Sequence, residues 1–373
     1  MADVPAGLLR PALAELVPYE PGKPVEEVQR ELGLERVVKL ASNEGPYGPF
    51  PAALEALERS ARELNRYPDG GAYRLCSALA ERHGVRFEEV AIGSGADGVI
   101  DGISQATLDP GDQVVLGWPS FPSFAIYARK LGAEPILVPL REHRYDLDAL
   151  LEAITDRTKL VCICYPNNPT GTMNTRAELD AYFERVPPHV LTVLDQAYFE
   201  HIEDADYVDG VEEYVKADKR LIVLRTFSKI YGLAGVRVGY GVGPAELVTA
   251  LGKTRRAFDV TTPAQEAALA SLDDVRELER RRARNRDGLR ELEHILRGAG
   301  FEIAGPAVGN FLYAEVGEDA QAWFEALLRQ GVIVRPLAGF GAPTAVRITV
   351  GTPDEHAFLA QALARLRTTA GAS

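Results

Sequence analysis

The segment Leu221-Ile222-Val223-Leu224-Arg225-Thr226-Phe227-Ser228-Lys229 joins four aliphatic residues to a polar end that contains a lysine. A short, continuously apolar run of this kind predicts a strand that is buried on both faces of a sheet. A lysine at the end of such a strand is rarely passive, because burying an ammonium group is costly, and its amine is a candidate for covalent catalysis on a carbonyl group. The plainer alternative is a solvated lysine at a strand end.

Short apolar runs of the same kind alternate with helical stretches on both sides of this segment. We expect further strands at Val90–Ile92, Gln113–Leu116, Glu134–Val138, Leu160–Cys164, Val190–Leu194 and Arg237–Gly241. This alternation predicts an α/β fold with a mostly parallel sheet covered by helices. We expect this large domain to span residues 46–262.

The two ends of the chain have a different character. Residues 1–45, rich in Pro and Gly, are predicted to form an N-terminal arm and part of a small domain, and residues 263–373 a small α+β domain. Within the latter, Pro263–Leu296 is predicted to be one long, arginine-rich helix. Glutamates are interleaved with the arginines, so we interpret it as a solvated face with i,i+4 ion pairs rather than as a nucleic-acid site. A strand is also expected at Val332–Arg335.

The composition excludes several classes of protein. The chain has 373 residues, with 41 Lys and Arg against 54 Asp and Glu, and a net charge of −13. Binders of nucleic acid or anionic membranes need a surplus of positive charge, so we expect neither partner. Three cysteines exclude a disulfide scaffold and fit a reducing compartment, and no signal peptide or spanning segment is evident, so we expect a cytoplasmic protein. We assign no metal ligands.

A glycine-rich turn, Gly93-Ser94-Gly95-Ala96-Asp97-Gly98, follows a predicted strand and opens a helix. In isolation it fits a dinucleotide fingerprint and hence a nicotinamide-dependent dehydrogenase, but the next strand ends in Gly117-Trp118 without the required acidic residue. The backbone N–H groups and helix dipole indicate a phosphate site of some kind. A simple tight turn is the alternative.

Two other strand ends carry polar groups. Asn168, in Tyr165–Gly171, is held out of the helical region by Pro169, and its amide could donate to a ligand oxygen, although plain Asn-Pro turns are common. Asp195 closes the next strand, where a partly desolvated carboxylate requires a cation or a protonated nitrogen; a helix N-cap is the alternative. Near Lys229, the hydroxyls of Thr226 and Ser228 and the guanidinium of Arg237 suit a phosphate. Together these groups match the contact points of pyridoxal 5′-phosphate.

At this point the sequence resembles the fold-type-I pyridoxal-phosphate-dependent aminotransferases, and within them the histidinol-phosphate aminotransferase branch. The resemblance covers nearly the whole chain. It is carried by Lys39–Glu44, Pro46–Pro49, Arg66–Asp69, Gly93–Asp97, Asn167–Gly171, Leu194–Asp195, Arg225–Tyr240 and Arg347–Gly351.

The resemblance implies a role for each matching residue. Lys229 would bond to the cofactor and later move a proton, and Asp195 would keep the pyridine nitrogen protonated. Tyr67 would contact the cofactor of the neighbouring subunit, and Phe121 would cover the ring face. Asn168 and Tyr198 would bond to the phenolic oxygen. The phosphate would be bound by Gly95, Ala96, Asp97, Thr226, Ser228 and Arg237. The substrate contacts would be Tyr19, Asn43, Arg335 and Arg347.

The sequence departs from the branch at four positions. Gly45 replaces a usual Asn, Gln196 a usual Glu, Phe121 a usual Tyr, and Gly98 a usual acidic residue. None of these removes a catalytic group. Gly45 and Phe121 border the substrate side, so they bear on substrate identity more than on the type of reaction.

The resemblance implies a homodimeric transaminase that passes an amino group from histidinol phosphate to 2-oxoglutarate in histidine biosynthesis. An aromatic-amino-acid aminotransferase is the nearest alternative, because the branch includes such enzymes. A phosphothreonine-type pyridoxal-phosphate decarboxylase, which would release carbon dioxide, and the dehydrogenase are further alternatives. A non-enzymatic binding protein is disfavoured, because every catalytic group is present.

Overall fold

The computed structural model describes residues 7–14, 16–19, 21–317 and 319–370. The strands are β1 (Val38–Lys39), β2 (Val90–Gly93), β3 (Gln113–Trp118), β4 (Glu134–Pro139), β5 (Thr158–Cys164), β6 (Leu191–Asp195), β7 (Leu221–Thr226), β8 (Gly239–Val242), β9 (Glu302–Ile303), β10 (Phe311–Glu315), β11 (Val332–Ile333), β12 (Arg335–Pro336) and β13 (Ala345–Thr349). The helices are α1 (Val25–Leu32), α2 (Pro51–Ser60), α3 (Tyr73–His83), α4 (Gly95–Thr107), α5 (Ser123–Leu131), α6 (Leu147–Glu152), α7 (Arg176–Arg185), α8 (Ala245–Thr254), α9 (Thr262–Leu272), α10 (Val275–Gly298), α11 (Ala320–Arg329) and α12 (Pro353–Ala370).

Seven strands form the central sheet, in the order β2-β8-β7-β6-β5-β3-β4. All of them are parallel except β8, which runs antiparallel to both of its neighbours. Strands β5, β6 and β7 are almost wholly buried, as expected for central strands covered by helices on both faces. The predicted α/β architecture is therefore confirmed. The carboxyl ends of the parallel strands meet at one edge, where ligands bind in such sheets.

A smaller unit is built from two further sheets. Strands β12, β13, β10 and β9 form an antiparallel sheet, and β1 pairs in parallel with β11. The sequence analysis missed β1, because a two-residue strand has too little periodicity to be detected. Val28, Val38 and Leu40 lie in the same apolar cluster as Leu312 and Ile348. The early part of the chain therefore contributes to the second core.

The domain limits stay a prediction. Helix α9 packs against α2 and α3, and its buried residues Ala264, Ala267 and Leu272 lie in the large core. Leu292 and Leu296, near the end of α10, lie in the small core. This packing favours a division inside α10 rather than at residue 263.

The prediction of one helix over Pro263–Leu296 is wrong. The chain forms α9 and α10 there, because the Asp274 side chain accepts a hydrogen bond from the Glu277 N–H at 3.1 Å and begins a new helix. The expected ion pairs exist, but Arg281 is buried: it pairs with Glu277 at 2.7 Å and donates to the carbonyl oxygen of Gly48 at 2.6 Å.

Two smaller differences concern the same half of the chain. The strand expected at Val332–Arg335 is divided into β11 and β12, which belong to different sheets. Helix α8 was not predicted. Among the described residues, the longest helices are too polar to cross a bilayer.

Replacing Asp274 by Ala removes the N-cap of α10. We expect a loss of about 1 kcal/mol in the free energy of unfolding, because one backbone N–H loses its partner. The neighbouring Asp273→Ala variant is the matched control, since Asp273 ends α9 without a described side-chain cap bond. Chemical denaturation measures both. Equal losses in the two variants would contradict the capping role of Asp274.

Candidate active site

A cavity of about 290 Å³ lies at the carboxyl edge of the central sheet. The residues that line it come from the ends of β5, β6 and β7, the start of α4 and the loop before α2. They are Ser42, Glu44, Ala96, Asp97, Ile100, Phe121, Cys164, Pro166, Asn168, Asp195, Ala197, Tyr198, Thr226, Ser228, Lys229, Ala234 and Arg237. Ten of the twelve predicted cofactor residues are among them.

Asp195 is the last residue of β6 and is 7% exposed. Its Oδ1 accepts a hydrogen bond from the Ala197 N–H at 3.0 Å, and Oδ2 lies 4.0 Å from the Cys164 sulfur. Burial raises the pKa of Asp195 from its ordinary value near 3.8 to about 6. A carboxylate in this position gains stability from a positively charged partner, which a protonated ring nitrogen would supply.

Lys229 lies in the loop that follows β7. Its Nζ lies 3.4 Å from the backbone oxygen of Ser42 and 5.6 Å from the centre of the Tyr198 ring. Burial, with the positive charge of Arg347 as the next largest cause, lowers the pKa of Lys229 to about 8. A lowered pKa enlarges the fraction of neutral amine, which is the nucleophilic form.

A cluster of donors surrounds the start of α4. The Thr226 hydroxyl donates to Ser228 Oγ at 3.0 Å, and Arg237 Nη1 donates to the same atom at 3.3 Å. Gly95 has a φ of +77°, and a Cβ there would lie 2.4 Å from Arg237 Nη2, so only glycine allows this approach. Two hydroxyls, a guanidinium and a helix N-terminus together suit a phosphate.

A hydrogen-bonded chain links the cavity to the small sheets. Asn43 Nδ2 donates to the Tyr198 hydroxyl oxygen at 2.8 Å, which leaves the Tyr198 proton free to donate elsewhere. Asn168 Oδ1 accepts from Arg347 Nη1, and Arg347 Nη2 donates to the Ala41 carbonyl oxygen at 2.6 Å. Asn168 and Tyr198 therefore face the cavity while their other atoms hold them in place.

Arg335 and Arg347 are direct cross-strand partners in the β12–β13 pair. Each guanidinium carbon lies near the Phe340 ring, at 5.2 Å for Arg335 and 5.5 Å for Arg347. Arg335 also lies 5.2 Å from the centre of the Tyr19 ring. The predicted substrate residues Tyr19, Arg335 and Arg347 are thus brought together, whereas Asn43 bonds to Tyr198.

Tyr67 and Phe121 occupy different positions relative to the cavity. Phe121 lines it and packs on the apolar cluster that contains Phe340. Tyr67 does not line it: its side chain is 82% exposed and stacks on Phe258 with ring centres 4.5 Å apart. Its prediction as a residue that serves a neighbouring subunit is untested by a single chain.

Two of the four unusual positions acquire a structural explanation. A Cβ on Gly45 would lie 2.9 Å from the Lys229 carbonyl oxygen, so the close approach of these two loops requires glycine. Gln196 is fully buried; it accepts from Arg225 Nη2 at 3.0 Å and donates to the Val208 carbonyl oxygen at 2.7 Å.

Sequence reasoning missed Ser42, Glu44 and Cys164 as cavity residues. Ser42 and Glu44 belong to the segment Lys39–Glu44, which was recognised as a motif, so their position could have been anticipated. Cys164 is the last residue of β5, and nothing in the sequence around it indicates that it lies beside Asp195.

Comparison with known proteins agrees with this geometry. The family model of aminotransferase class I and II matches residues 35–363. The chain belongs to the aminotransferase class I and II family. It is 43% identical over 361 residues to histidinol-phosphate aminotransferase 2 of Pseudomonas fluorescens, and the match covers 96% of this chain and 97% of that protein. It is 45% identical over 346 residues to the histidinol-phosphate aminotransferase of Akkermansia muciniphila, and that match covers 92% of this chain and 94% of the relative.

Two solved structures share the architecture. The crystal structure of histidinol-phosphate aminotransferase from Sinorhizobium meliloti in complex with pyridoxal-5′-phosphate superposes with a TM-score of 0.88 at 28% identity, covering 96% of this chain and 98% of that one. An aspartate aminotransferase from Thermus thermophilus, at 24% identity and a TM-score of 0.84, shares the fold, with 96% and 98% covered. The predictions of a fold-type-I aminotransferase and of its pyridoxal phosphate cofactor are confirmed. The cavity fits that cofactor, because it contains donors that suit a phosphate, a buried carboxylate and a half-buried lysine.

Replacing Asp195 by Asn should stabilise the cofactor-free protein at neutral pH. The folded protein holds a proton on Asp195 up to about pH 6, whereas the unfolded chain releases it near pH 4, so wild-type stability falls as the pH rises between these values. Two pKa units correspond to about 2 to 3 kcal/mol. We expect the free energy of unfolding of Asp195→Asn to exceed that of the wild type by an amount that grows as the pH rises from about 4 to about 6 and stays constant above about pH 6.

Chemical denaturation after removal of the cofactor measures this difference. Asp273→Asn, on an exposed residue, is the control and should show no such growth. An advantage of Asp195→Asn that is independent of pH would show that the Asp195 pKa is ordinary.

Proposed function

We propose that the protein is a histidinol-phosphate aminotransferase, which converts histidinol phosphate and 2-oxoglutarate to imidazole acetol phosphate and glutamate in histidine biosynthesis. The observation that carries this proposal is the cross-strand pairing of Arg335 with Arg347. Like charges directly opposite each other destabilise a sheet, so their presence favours a function in binding anions. The names of the relatives support the same substrate.

Two guanidinium groups suit a phosphate ester better than they suit a single carboxylate. A phosphate carries up to two negative charges and accepts several charge-assisted hydrogen bonds, and each arginine can offer two donors. The same pair would receive the distal carboxylate of glutamate in the second half of the reaction. A phenylalanine side chain offers these arginines no anionic group of its own.

The cofactor would be held by the residues that surround the cavity. Its phosphate would contact the start of α4 with Thr226, Ser228 and Arg237, its phenolic oxygen would accept from Asn168 and Tyr198, and Phe121 would cover one ring face. Pyridoxal phosphate supplies an aldehyde that bonds to amines and a ring that withdraws electrons from the adjacent carbon.

Asp195 and Lys229 would have separate acid–base roles. The Asp195 carboxylate would hold a proton on the pyridine nitrogen of the bound cofactor. Lys229 Nζ would accept the α-proton of the substrate and hold it for return. Its pKa near 8 suits this task, because the neutral and protonated forms both exist close to neutral pH. Arg347, which Asn168 Oδ1 holds by a hydrogen bond, would fix the substrate against this nitrogen.

The protein would act as a homodimer in the cytoplasm. Tyr67 is 82% exposed, so its side chain is accessible for contact with the cofactor of a neighbouring subunit. Under a two-fold axis each chain would then complete the site of the other.

Histidinol phosphate should be the preferred amino donor. We expect kcat/KM for histidinol phosphate to exceed that for phenylalanine by about tenfold or more, since one charge-assisted contact is worth about that factor. Replacing Arg335 by Met should lower kcat/KM for histidinol phosphate by about ten- to a hundredfold and affect phenylalanine far less. Arg329→Met, on the exposed side of α11, is the control.

Steady-state assays with each donor and 2-oxoglutarate measure these values. A preference for phenylalanine would favour an aromatic aminotransferase. Release of carbon dioxide in place of glutamate would favour a decarboxylase.

Chains carrying Tyr67→Ala and Lys229→Ala should complement each other. We expect each variant alone to have little or no turnover, because one lacks the shared contact and the other lacks the nucleophile. Random mixing makes half of the dimers mixed, and one of the two sites in each is intact, so about a quarter of wild-type activity should return.

Mixing Lys229→Ala with Asp195→Asn is the control. Both residues line the cavity of their own chain, so no site in a mixed dimer is intact and activity should not return. Normal turnover by Lys229→Ala, or the absence of recovery with Tyr67→Ala, would refute the corresponding role.

A further inference from the structure

His201 is a buried imidazole for which the reaction described above has no use. It is 8% exposed and follows Tyr198 in a short turn, Phe199–His201. Neither of its ring nitrogens has a hydrogen-bond partner among the described residues. Burial lowers its pKa to about 3, so the ring is neutral and offers one N–H donor and one acceptor. Leaving both unsatisfied would be costly, and such groups in folded proteins usually bind a partner or water.

Asn310 presents a second unsatisfied group. It is 2% exposed, and within the described part of the chain its Oδ1 accepts no hydrogen bond. Two of its other polar atoms are occupied: Nδ2 donates to the Asn43 carbonyl oxygen at 3.1 Å, and its backbone oxygen accepts from the Val350 N–H at 2.8 Å. The Oδ1 atom therefore lacks a donor, while His201 can supply or share one.

Both residues line the same small cavity. It measures about 20 Å³, and Gly45, Arg281 and Asn285 also line it. A volume of about 10 to 15 Å³ is enough for one water molecule if the walls are polar and offer two or more partners. The cavity meets both conditions, and it is far too small for a substrate or a cofactor.

We propose that this cavity binds one ordered water molecule that joins His201 to Asn310 Oδ1, and that His201 is thereby a positioning residue for Tyr198. The water donates one proton to Asn310 Oδ1 and forms a second hydrogen bond with one ring nitrogen of His201.

The effect on Tyr198 follows bonds already described. Asn310 holds the Asn43 backbone through its Nδ2 atom, and Asn43 Nδ2 donates to the Tyr198 hydroxyl at 2.8 Å. Thr349 supports the same residue, because its hydroxyl donates to Asn43 Oδ1 at 3.0 Å. Fixing Asn310 therefore fixes the amide that sets the orientation of the Tyr198 hydroxyl. This last step rests on the proposed contact of Tyr198 with the cofactor, whereas the water site does not.

A high-resolution crystal structure of the holoenzyme tests the water site directly. We expect density for one water within hydrogen-bond distance of a His201 ring nitrogen and of Asn310 Oδ1. A structure in which the two side chains pair with other groups, and no water lies between them, would overturn the proposal. This result does not depend on which amino donor the enzyme uses, so it stands apart from the proposed function.

Two substitutions of His201 test its positioning role in solution. If the cavity were only apolar packing space, His201→Phe would preserve or raise the melting temperature of the holoenzyme, because it removes two unsatisfied nitrogens. We expect it instead to lower the melting temperature, because Asn310 Oδ1 loses its water. His201→Gln keeps a polar side chain and should restore most of the loss, and exposed His189→Gln is the control.

The visible absorbance of the bound cofactor gives a readout that packing alone would not move. We expect His201→Phe to shift the pH midpoint of this absorbance by about half a unit, a roughly threefold change in proton affinity, and His201→Gln to leave it near the wild-type value. A His201→Phe holoenzyme with an unchanged melting temperature and midpoint would contradict the positioning role.

Discussion

The cost of withdrawing a carboxyl and an amine from water, at the ends of two adjacent strands, is the constraint on which the site of this protein depends. Asp195 closes β6 and is buried, and Lys229, which follows β7, is half-buried. Burial raises the pKa of the carboxyl and lowers the pKa of the amine, so the site destabilises the charged form of each. A fold built only for stability would have placed apolar groups there. The parallel sheet provides the rigid frame that holds them, because its strand ends are fixed by neighbours on both sides.

The second unit completes the site through the early part of the chain. Strand β1 joins the small core, and the residues that follow it carry Ser42 and Asn43 to the cavity. Arg347 lies on a strand of the small unit, yet it bonds to Asn168 of the large one. The residues proposed to bind the substrate, Arg335 and Arg347, and those proposed to bind the cofactor thus come from different cores. A change in the relative position of the two cores would alter the distance between the arginine pair and Lys229.

The parts of this arrangement that could be predicted are those with strong local signals. Strands β5, β6 and β7 are continuous apolar runs, and the lysine, aspartate and asparagine at their ends, although each has a structural alternative, together match the contact points of one cofactor. The break between α9 and α10 was missed, since one capping aspartate among many charged residues is a weak signal. Strand β1 and the cavity of His201 and Asn310 depend on contacts between distant segments, which periodicity does not report. The burial of Arg281 could not be predicted either, because its acceptor Gly48 is remote in the sequence.

The replacement of a usual glutamate by Gln196 illustrates how the charge balance behind the site is kept. Arg225 is 1% exposed and stacks on Phe199, with its guanidinium carbon 3.2 Å from the ring centre. A buried guanidinium requires a negative partner, and Asp209 supplies it at 2.8 Å. Gln196 can then be neutral: it accepts from Arg225 and also donates to backbone, which a carboxylate could not do. Because Gln196 follows Asp195 and Arg225 precedes Thr226, this network fixes the ends of both strands without placing a second negative charge next to the Asp195 carboxyl.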